Sequence, residues 1–265
     1  MTRKLLVASM IVAAALAAFA WASCSKQQAA TAMKQEDRLT LAQDLAQRGK
    51  CSKAILEYEK LLSEFPKPQV AETAKFNLAR CRFDIGEYDQ AVADFEDFIN
   101  TYPKSDLVDN AMYQIGLCYL KQAPRPERDQ AKTKQALDEL TLLVRKYPTT
   151  DVKADVDRAI GEAKSRLAEK EIENGRLYLR LADYKSARIY FDYVVSTYSD
   201  TPWAPEALFS KGQAFEREGD PAQARIAYQQ VIDDYPSSPA SAEAARRLKE
   251  LGGGSNAKGE ATSQH

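Results

Sequence analysis

The chain is poor in the residues from which most enzymes build their sites. Among 265 residues there is one histidine, His265, and it is the last residue. A histidine-based triad or a His-rich metal centre therefore has no material to form from. The four cysteines include no C-x-x-C pair, which removes the usual redox and zinc motifs. An excess of one charge is missing too: 37 Lys and Arg stand against 38 Asp and Glu, for a net charge of −1. A nucleic-acid partner wants a basic surface, so none is expected. Adjacent acids such as Glu96/Asp97 and Asp233/Asp234 have no nucleophile or ligand set around them and read as solvated helix faces. The expectation is a protein with no catalysis, no cofactor and no small-molecule substrate.

What is present is repetition. Ala54, Ala91, Ala136, Ala187 and Ala224 each lead, four residues on, to Tyr58, Phe95, Leu140, Phe191 and Tyr228. Seven residues later come Phe65, Tyr102, Tyr147, Tyr198 and Tyr235, followed by Pro66, Pro103, Pro148, Ser199 and Pro236. The i, i+4, i+7, i+8 spacing inside each copy marks one face of a helix. Proline then halts that helix, because it has no N–H and clashes with the preceding turn. Twelve residues before four of the alanines stand Ala42, Ala79, Gly175 and Gly212, small enough for a second helix to approach closely. Gly49, Gly86 and Gly219, five before the alanine, mark the inter-helix turns. Small residue, turn glycine, alanine, aromatic and proline at these offsets resemble the tetratricopeptide repeat. The predicted fold is all-α, a helical-repeat solenoid of five helix pairs plus a C-terminal capping helix.

The repeats lie 37 residues apart at both ends, but two steps are longer. From Ala91 to Ala136 is 45 residues, and Gln122 to Lys132 reads as an enlarged loop. From Ala136 to Ala187 is 51, a surplus of fourteen, or about four helical turns. That surplus predicts one long helix over Lys153 to Leu181, with Gly161 and Gly175 at equivalent small-residue places. Ser238 to Leu251 is predicted as the capping helix, ended by Gly252-Gly253-Gly254.

Residues 1–23 form a bacterial secretory signal: Arg3 and Lys4 precede the apolar run Leu5 to Ala20, and small residues follow. Trp21-Ala22-Ser23-Cys24 resembles a lipobox, with Trp21 in place of the usual leucine, which makes Cys24 the expected lipidation site. Several acyl chains on one cysteine give stable anchoring. Ser25, where Asp would signal inner-membrane retention in lipoproteins of the enterobacterial type, favours the outer membrane. The predicted organisation is thus 1–23 signal, 24–34 lipidated tether, 35–150 repeats one to three, 151–251 long helix with repeats four and five and the cap, and 252–265 disordered tail. Cys81 and Cys118, two residues after Ala79 and Gly116, are expected as buried free thiols.

Positions three before and one after the small residue are expected to line a peptide groove: Phe76 and Arg80, Tyr113 and Leu117, and, in the fifth repeat, Phe209 and Gln213, with a role for Phe76 and Tyr113 in sealing helix–helix contacts as the equal alternative. Phe83 and Leu120 are expected to seal helix contacts. The set does not match the Lys/Asn carboxylate clamp of chaperone-tail-binding repeats.

Four stretches sharpen the resemblance: P-E-R-D-Q at Pro126 to Gln130, L-A-E-K-E-I-E-N-G-R-L-Y-L at Leu167 to Leu179, D-Y-K-S-A at Asp183 to Ala187, and Y-S-D-T-P-W-A-P-E-A-L at Tyr198 to Leu208. With the lipobox, these resemble the outer-membrane β-barrel assembly lipoproteins of the BamD (YfiO/ComL) family. The chain departs from that family at Ser199, usually proline, and at Tyr190, where some members carry a basic residue. The resemblance implies a non-enzymatic scaffold anchored by lipid to the outer membrane and facing the periplasm. Its implied partners are the barrel-forming subunit BamA, through its periplasmic POTRA domains, and unfolded outer-membrane protein precursors. A periplasmic repeat adaptor for cell division or peptidoglycan machinery is the alternative, although such adaptors typically lack the lipidated cysteine.

Overall fold

A computed structural model describes residues 34–64 and 66–257, with side chains through Gly252. The signal, Cys24 and most of the tether lie outside the described residues. Among those described there are eleven helices and no strand. In chain order they are α1 (Gln35–Gln47), α2 (Cys51–Ser63), α3 (Pro68–Asp84), α4 (Tyr88–Thr101), α5 (Val108–Gln122), α6 (Ala131–Lys146), α7 (Lys153–Arg180), α8 (Tyr184–Thr197), α9 (Trp203–Glu218), α10 (Pro221–Asp234) and α11 (Pro239–Ala257). Their order follows the repeat, with α1 and α2 paired in the first copy and α5 with α6, α7 with α8 and α9 with α10 paired in the third to fifth, before a final helix. The helices fall into two compact units that divide at Ile85/Gly86.

In the N-terminal unit, α1, α2 and α3 pack on one another. Their core comprises Ala42 of α1, Ala54, Tyr58 and Leu61 of α2, and Ala74, Leu78 and Cys81 of α3. Ala54, Tyr58 and Leu61 are the i, i+4, i+7 row of the repeat, and all three are wholly buried. Where α1 meets α2, Gly49 takes φ +70°, and its N–H and that of Lys50 satisfy the last carbonyls of α1 at 2.9 and 2.8 Å.

In the C-terminal unit each helix packs on its successor, and α7 and α9 also meet, as do α9 and α11. Helix α7 matches the predicted long helix to within one residue. Its first half continues the stack, because Val156, Ala159 and Ala163 share a core with Leu140 and Leu143 of α6. Gly175 makes the close contact expected of it: a Cβ there would stand 2.5 Å from the Phe191 ring. Gly161 does not, since nothing lies within 4 Å of where its Cβ would be. Fourteen residues fall short of four full turns, and the buried row runs through Ala159 and Ala163 instead.

One further expectation needs correction. Helix α11 runs to Ala257, through the glycine triplet. Glycine weakens a helix by about 1 kcal/mol per residue but, unlike proline, removes no hydrogen bond. The second helices end where a following proline requires, because the residue before proline is pushed out of the helical region. Helices α4, α6, α8 and α10 all stop one residue before the aromatic, which serves as C-cap. After α8, where Ser199 replaces proline, Thr201 donates from both N–H and hydroxyl to the Tyr198 carbonyl, at 3.0 and 2.8 Å.

The enlarged loop between α5 and α6 is pinned from inside. Gln130 is buried, its amide donating to the carbonyls of Arg125 and Arg128 at 2.9 and 3.2 Å and accepting from Thr133 at 2.7 Å. Lys170 of α7 donates to the Glu127 carbonyl at 2.8 Å.

Candidate interaction surfaces

Helix α3 turns Val70, Ala74, Leu78 and Cys81 into the core of the N-terminal unit. Phe76 is closed off as well, with only 8% of its surface exposed, so its ring is not an open groove wall. Arg80, one turn on, is exposed and borders a recess of about 180 Å³ above the Tyr58 ring.

In the C-terminal unit, Tyr113 and Leu117 stand one turn apart on α5 and are half-buried against the cluster of Met112, Leu140, Leu143 and Val156. Burial first, then the Asp155 carboxylate, raises the Tyr113 hydroxyl above its ordinary pKa, while Arg158 opposes the shift. Both neighbours lie on the first turns of α7, so Tyr113 serves a helix–helix seam. Leu120 is buried in the same cluster, matching its expected packing role. Phe209 of α9 tilts against the Tyr228 ring at 5.3 Å. It also edges a recess of about 280 Å³ with Pro202, Pro205 and Pro239.

A second surface was not singled out from sequence. Leu56, Ile189 and Ile226 each stand two residues after the repeat alanine, on α2, α8 and α10, and expose 55%, 62% and 54% of their surfaces. Tyr193, one turn beyond Ile189, is 46% exposed. The signal was legible: an aliphatic residue off the i, i+4, i+7 face has no place in the core of its own pair. In α4 and α6 that position holds Ala93 and Asp138, so in the C-terminal unit the large aliphatics belong to the last two pairs. Tyr190 stacks on Tyr178, the two rings lying 5.3 Å apart and 14° from parallel.

Cys51, Cys81 and Cys118 are free and buried. Burial pushes the Cys118 thiol up to about 12, and burial together with neighbouring Cys51 does the same for Cys81. Neither Cys81 nor Cys118 is therefore a reactive thiolate at neutral pH. No helix among the described residues is long and apolar enough to cross a membrane.

Helices paired in antiparallel succession and crossing at small residues define the class: a tetratricopeptide-type repeat protein. The chain belongs to the YfiO family of outer membrane lipoproteins, whose pattern it matches over residues 31–230. A 99-residue stretch is 36% identical to the outer membrane protein assembly factor BamD of Caulobacter vibrioides. That stretch covers 37% of this chain and 32% of the relative, about a third of its length. Among solved structures, the TPR2AB domain of yeast Sti1 in complex with an HSP90 peptide is similar with a TM-score of 0.47 at 15% identity, covering 82% of each chain. A thermophilic TPR protein of Thermus thermophilus is similar with a TM-score of 0.36 at 20% identity, covering 81% of this chain and 99% of that one.

Proposed function

We propose that this protein is a non-enzymatic scaffold of outer-membrane β-barrel assembly, held by acylated Cys24 on the periplasmic face of the outer membrane. Family membership across residues 31–230 carries the reading. The assembly-factor relative from Caulobacter supports it. In this reading the C-terminal repeats hold the POTRA domains of a BamA-like barrel-forming subunit, and the N-terminal repeats receive unfolded outer-membrane protein precursors. Exposed Ile189, Tyr193 and Ile226 supply apolar contact area on the C-terminal repeats, where burying one such aliphatic contributes about 1.5–3 kcal/mol. Of the four residues expected to line a groove, Phe76, Arg80, Tyr113 and Leu117, Arg80 is the one open to solvent and carries the peptide contact in this reading.

Affinity capture from detergent-solubilised envelopes tests the reading. Recovery of a BamA-like subunit with the wild type, reduced by Ile189→Asp with Ile226→Asp, is the expected result. Recovery of division or peptidoglycan proteins in its place would overturn it. Labelling with a fatty-acid analogue, present in the wild type and absent in Cys24→Ala, tests the anchor separately.

A further inference from the structure

Two of the five second helices carry tyrosine at the large apolar position, Tyr58 in α2 and Tyr228 in α10, and both are wholly buried. A buried phenol hydroxyl calls for a hydrogen-bond partner. Tyr228 has one: its hydroxyl donates to Glu216 Oε2 at 2.9 Å, and Arg247 binds the other oxygen of that carboxylate. Glu216 lies four residues after Gly212, and Arg247 eleven after Pro236. The same offsets in the N-terminal unit fall on Ala46, four after Ala42, and Asn77, eleven after Pro66. Neither replacement brings a carboxylate to the ring. Among the described residues the Tyr58 hydroxyl is accordingly buried with no partner, and the recess of about 180 Å³ opens beside it, bordered by both Ala46 and Asn77.

The remaining lining sorts by chemistry. Gln43, Gln47 and Asn77 bring amide donors, and Arg80 brings a guanidinium that makes no ion pair or hydrogen bond within the described residues. Asp84 is the only acidic lining residue, and it already accepts the Cys51 thiol at 3.8 Å. Burial raises the pKa of Tyr58, which keeps its hydroxyl a neutral donor. A water occupies roughly 30 Å³ of liquid, so the recess has room for a carboxyl group and its methylenes. No lysine lines it, which separates it from the Lys/Asn clamp.

We propose that this recess is a carboxylate-binding subsite, in which a carboxylate carried by an extended polypeptide takes the place that Glu216 holds beside Tyr228. The inference rests on the reading of the N-terminal repeats as receivers of unfolded polypeptide. The carboxylate comes from a chain terminus or from an Asp or Glu side chain, and the test separates the two.

Fluorescence anisotropy of the full-length protein in detergent would use three labelled octapeptides of alternating threonine and valine. One ends in a free carboxylate, one is amidated, and one is amidated with a glutamate near its end. Binding of either carboxylate peptide over the neutral amide supports the subsite, and the preferred peptide identifies the source. Ala46→Glu with Asn77→Arg rebuilds the Glu216–Arg247 arrangement, so it should weaken that binding roughly tenfold or more while holding or raising Tm. Arg80→Gln should also weaken it, and it decides the matter if the double variant lowers Tm. Equal binding of all three peptides, binding of none, or undiminished binding by the filled variant and by Arg80→Gln would overturn the proposal. Recovery of the BamA-like subunit is scored separately, so the subsite can fail while the assembly reading stands, and the reverse.

Discussion

At the residue scale, three backbone positions carry most of what can be checked. A Cβ at Gly212 would stand 2.5 Å from the Tyr228 ring, which Glu216 and Phe209 hold in place. Gly212→Ala should therefore destabilise by about 1–3 kcal/mol, as overpacked cores do. Gly161→Ala adds a methyl into open space within a helix and should stabilise by about 1 kcal/mol. Urea titration of both variants reads the contrast, and equal effects would contradict it. Ala182 holds φ +59°, in the turn where Gly49, Gly86 and Gly219 stand in other pairs. Left-handed backbone costs a non-glycine residue about 1–2 kcal/mol, so Ala182→Gly should raise the urea midpoint, and a lower one would contradict the turn assignment. The small residues were legible because their spacing from the repeat alanine is fixed. Ala182 was not, because glycine's place in that turn is held by another residue and only the offset betrays it.

The buried thiols add a pH dependence. Cys81 and Cys118 titrate near 12 in the folded chain, against about 8.5 unfolded. Between those values the unfolded state has lost protons that the folded state keeps, so stability falls as pH rises above about 8.5 and is fully present below it. The urea midpoint should drop between pH 8 and pH 10, and less so in Cys81→Ala/Cys118→Ala. A midpoint that rises over that interval would contradict the burial.

At the scale of elements, the breaks in the period were more informative than the period. The fourteen-residue surplus located α7 closely because a helix inserted in near-whole turns leaves the faces on either side in register. It misplaced Gly161 because 14 residues is not quite a whole number of turns. Helix α11 runs past the glycine triplet because glycine, which keeps its N–H, weakens a helix without breaking it. The α5–α6 loop was legible as a length but not as a structure, since nothing in Q-A-P-R-P-E-R-D-Q says that Gln130 folds inward. Gln130→Ala would strip partners from the Arg125 and Arg128 carbonyls and the Thr133 hydroxyl. A loss of about 1–3 kcal/mol is expected, with faster amide exchange confined to the loop, and unchanged exchange there would contradict the pinning.

At the scale of the whole molecule, the same repeat position does different work in different places. The large apolar residue is Phe95, Leu140 or Phe191 where only packing is asked of it, and Tyr228 where a Glu–Arg pair is built above it. Tyr58 keeps the hydroxyl without the pair. That difference was present in the sequence, as Ala46 and Asn77, but it acquires meaning only once the register of the units is known. The aliphatics at Ile189 and Ile226 follow the same logic, being surplus to the core of their pairs. The motif that defines the fold is therefore separate from the residues proposed to define the job.

The assembly role itself is tested most directly by depleting the protein from growing cells and following the folded fraction of newly made outer-membrane barrels by their heat-modifiable migration. The account predicts that folded barrels fall as the protein is lost and recover with wild-type protein, but not with a Cys24→Ala form left unanchored. Normal barrel folding in fully depleted cells would contradict it.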